Sequence, residues 1–371
     1  MKIGIDARLY TQTGVGRYLR NIIEQLQRLD KKNEYFIYLR KEEFDLFDPQ
    51  NTRWKKRLVE IPWHTVKEQF LLPKILLADN LDLAHFPYFN VPIFYPKKYL
   101  LTIHDLIVDH FDTGRASTLP MPIFKIKRWG YKLSMTSAVK RATIITAISQ
   151  TTKKEIISHY RVKEDRIVVT YDALDENFRK TYGRCRPKNY YGFPYILYVG
   201  NAYPHKNLER LLEALKIIHR SNKIKLVLAG NDEYFYPRLK NYADKLGVGK
   251  EVYFFGEAND EQLINLYTFS EFLVFPSLME GFGLPSLEAL YCNRLPVVAD
   301  IPVFREIWGD NLVFFNPNNA FIIAEQIMKV LAYGKKRYEM LVKKAKKRLD
   351  YFSWEKTAKQ TLRLYENCFC L

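Results

Sequence analysis

Cysteine is scarce in this chain and scattered where it occurs. Cys185, Cys292, Cys368 and Cys370 make four in all, with no C-x-x-C pair and no histidine cluster beside them, which argues for reduced thiols and against a zinc site. Long apolar runs are missing too. Nothing approaches the ~20 residues that span a bilayer, and MKIGIDARLY leads straight into a strand and not into a signal peptide, so an intracellular protein is the expectation. There is no internal repeat, no low-complexity segment and no recognised nucleic-acid motif. Acidic residues fall short of basic ones, 41 against 58, for a net charge of +17. Nucleic acid, an anionic membrane face and an anionic substrate all suit such a charge, which does not choose among them.

What the chain does have is length and alternation. Its 371 residues, 47% hydrophobic, exceed the size at which one core keeps growing, so two domains are expected. Short apolar strands alternate with amphipathic helices throughout, which predicts two parallel α/β domains. The basic, Gly/Pro-containing segment 176–194 reads as a linker between them. Domain boundaries are therefore set at 1–175, 195–352 and a C-terminal helical segment, 353–371.

The stretch with most chemistry is EFLVFPSLMEGFGLPSLEAL, residues 271–290. Phe272 to Phe275 read as a strand, a Gly/Pro-rich turn follows, and a helix is predicted from Leu284, with Pro285 suited to its first turn. The N–H groups of that turn form a natural anion site. Glu280 lies before the helix and Glu288 about one turn inside it, so one carboxylate can meet a ligand beside the anion and the other can reach further along it. Glu280 and Glu288 around GFGLPSLE resemble the E-x7-E motif of retaining glycosyltransferases of the GT-B fold, in particular their large fourth sequence family. The resemblance implies two Rossmann-like domains facing across a cleft: an acceptor domain first and a nucleotide-sugar domain second, with the C-terminal helix crossing back to the first.

Other positions are weighed beside that motif. Gly14 and Gly16, in a loop feeding a helix after the first strand, allow close approach of the backbone; GVGRY is similar to the family's loop between donor diphosphate and acceptor. His104 and Asp105 end an apolar strand, at the sheet edge where ligands of such folds bind. The family's T-H-D-L stretch implies that His104 positions the transferred sugar, while Asp105 orients backbone or His104. Lys206, in VGNAYPHKN, resembles the family's phosphate-binding lysine, stabilising the departing nucleotide. Asn201 stands where many members carry arginine, which leaves one positive partner absent or supplied from elsewhere, His205 and Arg8 being candidates. Glu257 and Ala258 fall in the turn that, in the family, holds the base. Tyr171 and Asp172 replace a small Asn-Gly turn.

The resemblance thus implies a retaining, metal-independent hexosyltransferase without cofactor. Catalytic roles fall to His104, Lys206 and Glu280, and donor binding to Gly14, Gly16, Asn201, Lys206, Glu257, Ala258, Glu280, Gly281, Phe282, Gly283, Leu284 and Glu288. No two aspartates stand two apart, so the D-x-D metal signature of the other major glycosyltransferase fold is absent. GDP-mannose is the favoured donor, with UDP- and ADP-sugars open, and the acceptor is a glycan or lipid-linked hydroxyl in surface polysaccharide or glycolipid assembly. A GT-B epimerase or phosphorylase and a basic nucleic-acid-binding module are the competing classes; the last explains the charge and not the paired glutamates. Residues 121–141 interleave Lys125, Lys127, Arg128 and Lys132 with apolar and aromatic residues, which suits either an anionic membrane surface or a helix with a solvated basic face. A cytoplasmic protein, peripheral on the inner face of the plasma membrane if that contact forms, is the corresponding location.

Overall fold

The computed structural model describes residues 1–63, 65–111 and 120–370. Two compact units emerge. Met1–Leu106, Pro120–Asp172 and the C-terminal segment from Ser353 form the first; Ala173–Phe352, with a segment beginning at Ile107, forms the second.

In the first unit, the described strands are β1 (Lys2–Asp6), β2 (Glu34–Leu39), β3 (Trp54–Leu58), β4 (Leu83–Phe86), β5 (Tyr99–Ile103), β6 (Ile144–Ala147) and β7 (Ile167–Val169). They pair in parallel in the order β3-β2-β1-β4-β5-β6-β7. The second sheet comprises β8 (Tyr195–Val199), β9 (Lys225–Ala229), β10 (Val252–Gly256), β11 (Leu273–Phe275), β12 (Pro296–Ala299) and β13 (Val313–Phe315), also parallel, in the order β10-β9-β8-β11-β12-β13. Central strands are buried on both faces: YLLTI of β5 and PVVA of β12 expose nothing, as expected of sheets covered by helices on each side. Each sheet reverses its strand order once, at β1/β4 and at β8/β11. Such a reversal splays two loops apart at the carboxyl ends of adjacent strands and leaves a crevice for ligand.

Two expectations change. Gly14 and Gly16 lie not in a loop but in the first turn of the helix Thr13–Leu29. A Cβ on Gly16 would stand 2.6 Å from the Tyr10 carbonyl oxygen, so this glycine serves the close packing of the helix start on the preceding turn. The segment expected as a linker opens with a helix, Glu176–Arg184, whose Asp175 cap accepts from the Asn177 and Phe178 N–H groups. Its apolar signal is thin because one side chain, Phe178, carries the burial, edge-on to Tyr267 at 6.3 Å. Residues Trp354–Cys370 form a helix that packs on the Thr13–Leu29 helix. Tyr18 and Trp354 meet at 5.8 Å, and His85 Nδ1 lies 2.7 Å from the Tyr365 hydroxyl.

The corner after β7 is tied to that helix by the Thr357 hydroxyl, which donates to the Tyr171 carbonyl at 2.5 Å. Asp172 beside it is 3% exposed, and its Oδ1 has no hydrogen-bond partner among the described residues. Burial pushes this carboxyl up to about 8. An unfolded aspartate ionises near 4, so as pH rises the unfolded chain loses this proton first and native stability falls between those values. Asp172→Asn should therefore raise the urea midpoint at pH 8 by the equivalent of roughly 1–3 kcal/mol, a gain that fades as the pH is brought down to 4.

Candidate functional site

The β8/β11 reversal places two loops side by side. After β8 the chain passes Gly200 and Asn201 into a tight 3-10 turn, Pro204–Lys206. After β11 it runs through Pro276–Gly283 into the helix Leu284–Tyr291. Asn207 holds the two together. It adopts a left-handed backbone (φ 59°), which asparagine tolerates better than most residues, and its amide donates to the Pro276 carbonyl at 3.1 Å and the Pro317 carbonyl at 2.8 Å. The Leu278 N–H adds a bond to the His205 carbonyl at 2.8 Å.

This stapling brings Lys206 Nζ to 2.5 Å from Glu280 Oε1, with the two side chains only 13% and 9% exposed. The ammonium also lies 5.6 Å from the centre of the Phe275 ring. The sequence-predicted lysine and glutamate, 74 residues apart, thus form one charge pair at the switch point. An anion entering there finds a lysine whose present partner is a single carboxylate, a contact that ligand oxygen can replace.

The predicted helix start is observed at Leu284, with Gly283 as its N-cap at φ 93°. A Cβ on Gly283 would come within 2.4 Å of Phe304 Cε1, so both backbone conformation and space demand glycine here. The Ser286 hydroxyl donates to the Gly283 carbonyl at 2.6 Å and accepts from Trp308 Nε1 at 3.1 Å, which fixes the turn against the core. Gly281 and Phe282 are buried, Phe282 packing edge-on to Phe352 at 5.2 Å, so its ring is a core element and its backbone is what faces the loop. Leu284 is half-buried.

Glu288 is 2% exposed, and its Oε2 accepts from the Tyr267 hydroxyl at 2.8 Å. Its carboxylate is thus oriented from below by a tyrosine that the sequence reading did not single out. Asn201 is half-buried, with its carbonyl accepting from the Tyr198 hydroxyl at 2.7 Å. Glu257 is exposed and Ala258 half-buried, just before a helix that Asn259 and Gln262 close with a reciprocal capping box. Neither candidate for the absent arginine supplies a free cation. His205 is 3% exposed, and burial followed by the neighbouring Lys206 charge pulls its pKa down to about 3, leaving it neutral. Arg8 belongs to the first unit, where Asp6 (2.7 Å), Glu68 (2.6 Å) and the Ile61 carbonyl (3.2 Å) hold its guanidinium.

The first unit has its own shallow switch-point recess, bordered by Asp6, Arg8, Pro87, Tyr88 and Asn90. His104 follows β5 nearby in the chain order of that sheet edge. Its Nε2 lies 2.9 Å from the Pro87 carbonyl, so Nε2 carries the proton and Nδ1 is left as an acceptor. Burial lowers its pKa to about 4, and the neutral ring packs edge-on to Tyr18 at 5.0 Å. The ring is suited to accepting a hydroxyl hydrogen bond and is not charged at neutral pH. Among the described residues no group of three or more His, Cys, Asp or Glu side chains could hold a metal ion.

Two parallel doubly wound sheets, each reversing its strand order once, are the architecture of glycosyltransferases of the GT-B fold. The model of the glycosyl transferases group 1 matches residues 186–348 and that of Glycosyltransferase Family 4 matches residues 12–178; together they take in most of the chain, which belongs to the glycosyltransferases. It is 25% identical over 269 residues to the O-antigen chain mannosyltransferase RfbU of Salmonella typhimurium, covering 72% of this chain and 70% of that one. It is 30% identical over 277 residues to the serotype-specific mannosyltransferase WbdA of Escherichia coli, which is 71% of this chain but 32% of WbdA. The crystal structure of Anabaena HepE in complex with UDP-glucose has the same fold, with a TM-score of 0.75 at 15% identity over 99% of this chain and 100% of HepE.

Gly283→Ala should destabilise the second unit by roughly 2–4 kcal/mol, from a left-handed alanine and the clash with Phe304. Urea unfolding followed by near-UV circular dichroism checks this, and a loss below about 0.5 kcal/mol would show that the turn relaxes without strain.

Proposed function

We propose that this glycosyltransferase moves a hexose, with mannose from GDP-mannose as the favoured donor, to a hydroxyl of a glycan or lipid-linked acceptor in surface polysaccharide or glycolipid assembly. It retains anomeric configuration and needs no metal ion. The observation that carries the reading is the Lys206–Glu280 pair at 2.5 Å beside the Gly283 helix start. Support for the sugar and the setting comes from relatives named as mannosyltransferases of O-antigen. A cytoplasmic site of action follows from the need for a nucleotide sugar.

In this reading the diphosphate takes Lys206 from Glu280 and lies against the N-terminal turn of the Leu284–Tyr291 helix, where positive charge offsets the charge that develops on departure. Glu280, released from the lysine, accepts hydroxyls of the hexose. Glu288, held by Tyr267, serves the ribose, while the backbone at Glu257 and Ala258 serves the base. The acceptor oxygen bonds to the anomeric carbon on the face from which the diphosphate leaves, the carbon–phosphate oxygen bond breaks, and the acceptor proton passes to that departing oxygen. His104 accepts a hydroxyl of the transferred sugar through Nδ1 and acts by position.

The test is a thermal-shift panel of GDP, UDP and ADP with their sugar conjugates, in chelator, backed by product stereochemistry from proton NMR. Stabilisation by one nucleotide class, and an α-product from an α-donor without added metal, are the expected results. No shift with any nucleotide, with salt-dependent retention on nucleic acid instead, would transfer the charge to the competing class.

Variants separate the roles. Lys206→Ala should abolish the nucleotide shift. Glu280→Gln leaves a nearly buried ammonium without its carboxylate, so the ligand-free midpoint should fall while affinity for the nucleoside diphosphate alone rises about tenfold. His104→Ala should lower kcat by roughly 10- to 100-fold with diphosphate affinity unchanged; an equal loss in both would make His104 a folding residue.

A further inference from the structure

The helix Met121–Arg141 has apolar residues on two opposed sides. Toward the first unit it buries Met135, Ala138 and Val139, and Tyr131 meets Phe89 edge-on at 5.0 Å. Ile123, Ile126, Trp129 and Leu133 follow one another at intervals of three, three and four residues, which on a helix of 3.6 residues per turn makes one stripe, roughly opposite Met135 and Ala138. These four are 48%, 69%, 68% and 49% exposed. A helix that served only to cover the sheet would carry polar residues there, since solvent-facing stripes of large apolar residues give no return in water.

The charge on this helix is of one sign. It carries six basic residues and no acidic one. At 100° per residue Lys125 and Lys132 flank the apolar stripe on one side and Lys127 on the other, while Arg128 turns towards the buried side, its guanidinium 5.9 Å from the centre of the Phe124 ring. Beside its C-terminal end, Arg141 donates to the Ile93 and Tyr95 carbonyls, the latter at 2.5 Å. Between those residues Phe94 stacks on Phe70 at 4.9 Å, the two being 57% and 53% exposed. Among the described residues, no helix is long and apolar enough to cross a membrane.

We infer that the Ile123–Ile126–Trp129–Leu133 stripe docks the protein on an anionic lipid bilayer, with the helix lying in the plane of the headgroups. A bilayer fits both halves of the pattern: apolar side chains enter the acyl boundary, Trp129 sits at the interface that indole favours, and the flanking lysines meet lipid phosphate. A second copy of the chain fits poorly, because it would set the flanking lysines of one stripe against those of the other with no acidic residue on the helix to offset them. The inference stands apart from the donor chemistry, and a failure of either leaves the other untouched.

The test is sedimentation of the full-length protein with vesicles of phosphatidylcholine alone and of phosphatidylcholine mixed with phosphatidylglycerol, at low and high salt. Binding to the mixed vesicles, weakened by salt, with a blue shift of tryptophan emission that Trp129→Phe removes, is the expected result. Trp129→Asp should weaken partitioning at least tenfold, and each of Lys125→Ala, Lys127→Ala and Lys132→Ala about fivefold. Far-UV circular dichroism spectra and urea midpoints, unchanged in these variants, show that they are folded. Absence of vesicle binding, or binding undiminished by the variants, would overturn the assignment. So would a dimer in light scattering that Trp129→Asp converts to monomer, which would give the stripe to self-association.

Discussion

A lysine ammonium and a glutamate carboxylate share a corner of the second unit from which water is nearly absent, and the local architecture exists to hold them there. Lys206 and Glu280 come from loops on either side of the β8/β11 reversal. A pair this sheltered costs desolvation energy that its mutual attraction only partly returns, which is a poor bargain for stability and a good arrangement for exchange. Either charge is readily taken over by a ligand that brings its own complementary groups. Under the proposed function a nucleotide sugar brings both, an anion for the lysine and hydroxyls for the carboxylate.

Precision at that corner comes from neutral groups. Asn207 reaches carbonyls of two different loops, and Ser286 joins the helix start to Trp308. Hydrogen bonds of this kind have directional requirements that charge pairs lack, so they set where the charges stand while the charges set what binds. The same division appears in the first unit, where Asp6 and Glu68 enclose Arg8 and the Pro87 carbonyl decides which nitrogen of His104 stays open.

Much of this was legible in the residues. The strand-to-helix passage at Phe275–Leu284 is where the Gly/Pro pattern puts it, because Gly283 needs a left-handed backbone and Pro285 tolerates a first helical turn. Lys206 and Glu280 were chosen by motif, and the structure joins them. Other features could not be read. Asn207 bonds carbonyls 69 and 110 residues away, and Tyr267 reaches Glu288 from a different helix; no local pattern announces such partners. The Gly14–Gly16 stretch looked like a loop because glycine weakens helices, but here packing against Tyr10 requires a residue without Cβ. The segment after Asp175 looked irregular because a single phenylalanine anchors it.

The C-terminal helix bears on the order in which the chain can assemble. Trp354 and Tyr365 complete the packing around Tyr18 and His85, residues made long before them, 280 positions earlier in the case of His85. On the ribosome, the second unit has all of its strands before the first unit has its last helix. The N-terminal domain, first to emerge, is therefore the last to be finished, and until then His85 lacks its tyrosine and the Tyr18 ring lacks its tryptophan. Domains that emerge in sequence ordinarily fold in sequence; here the first unit lacks the helix that covers Tyr18 and His85 until the whole of the second has been made.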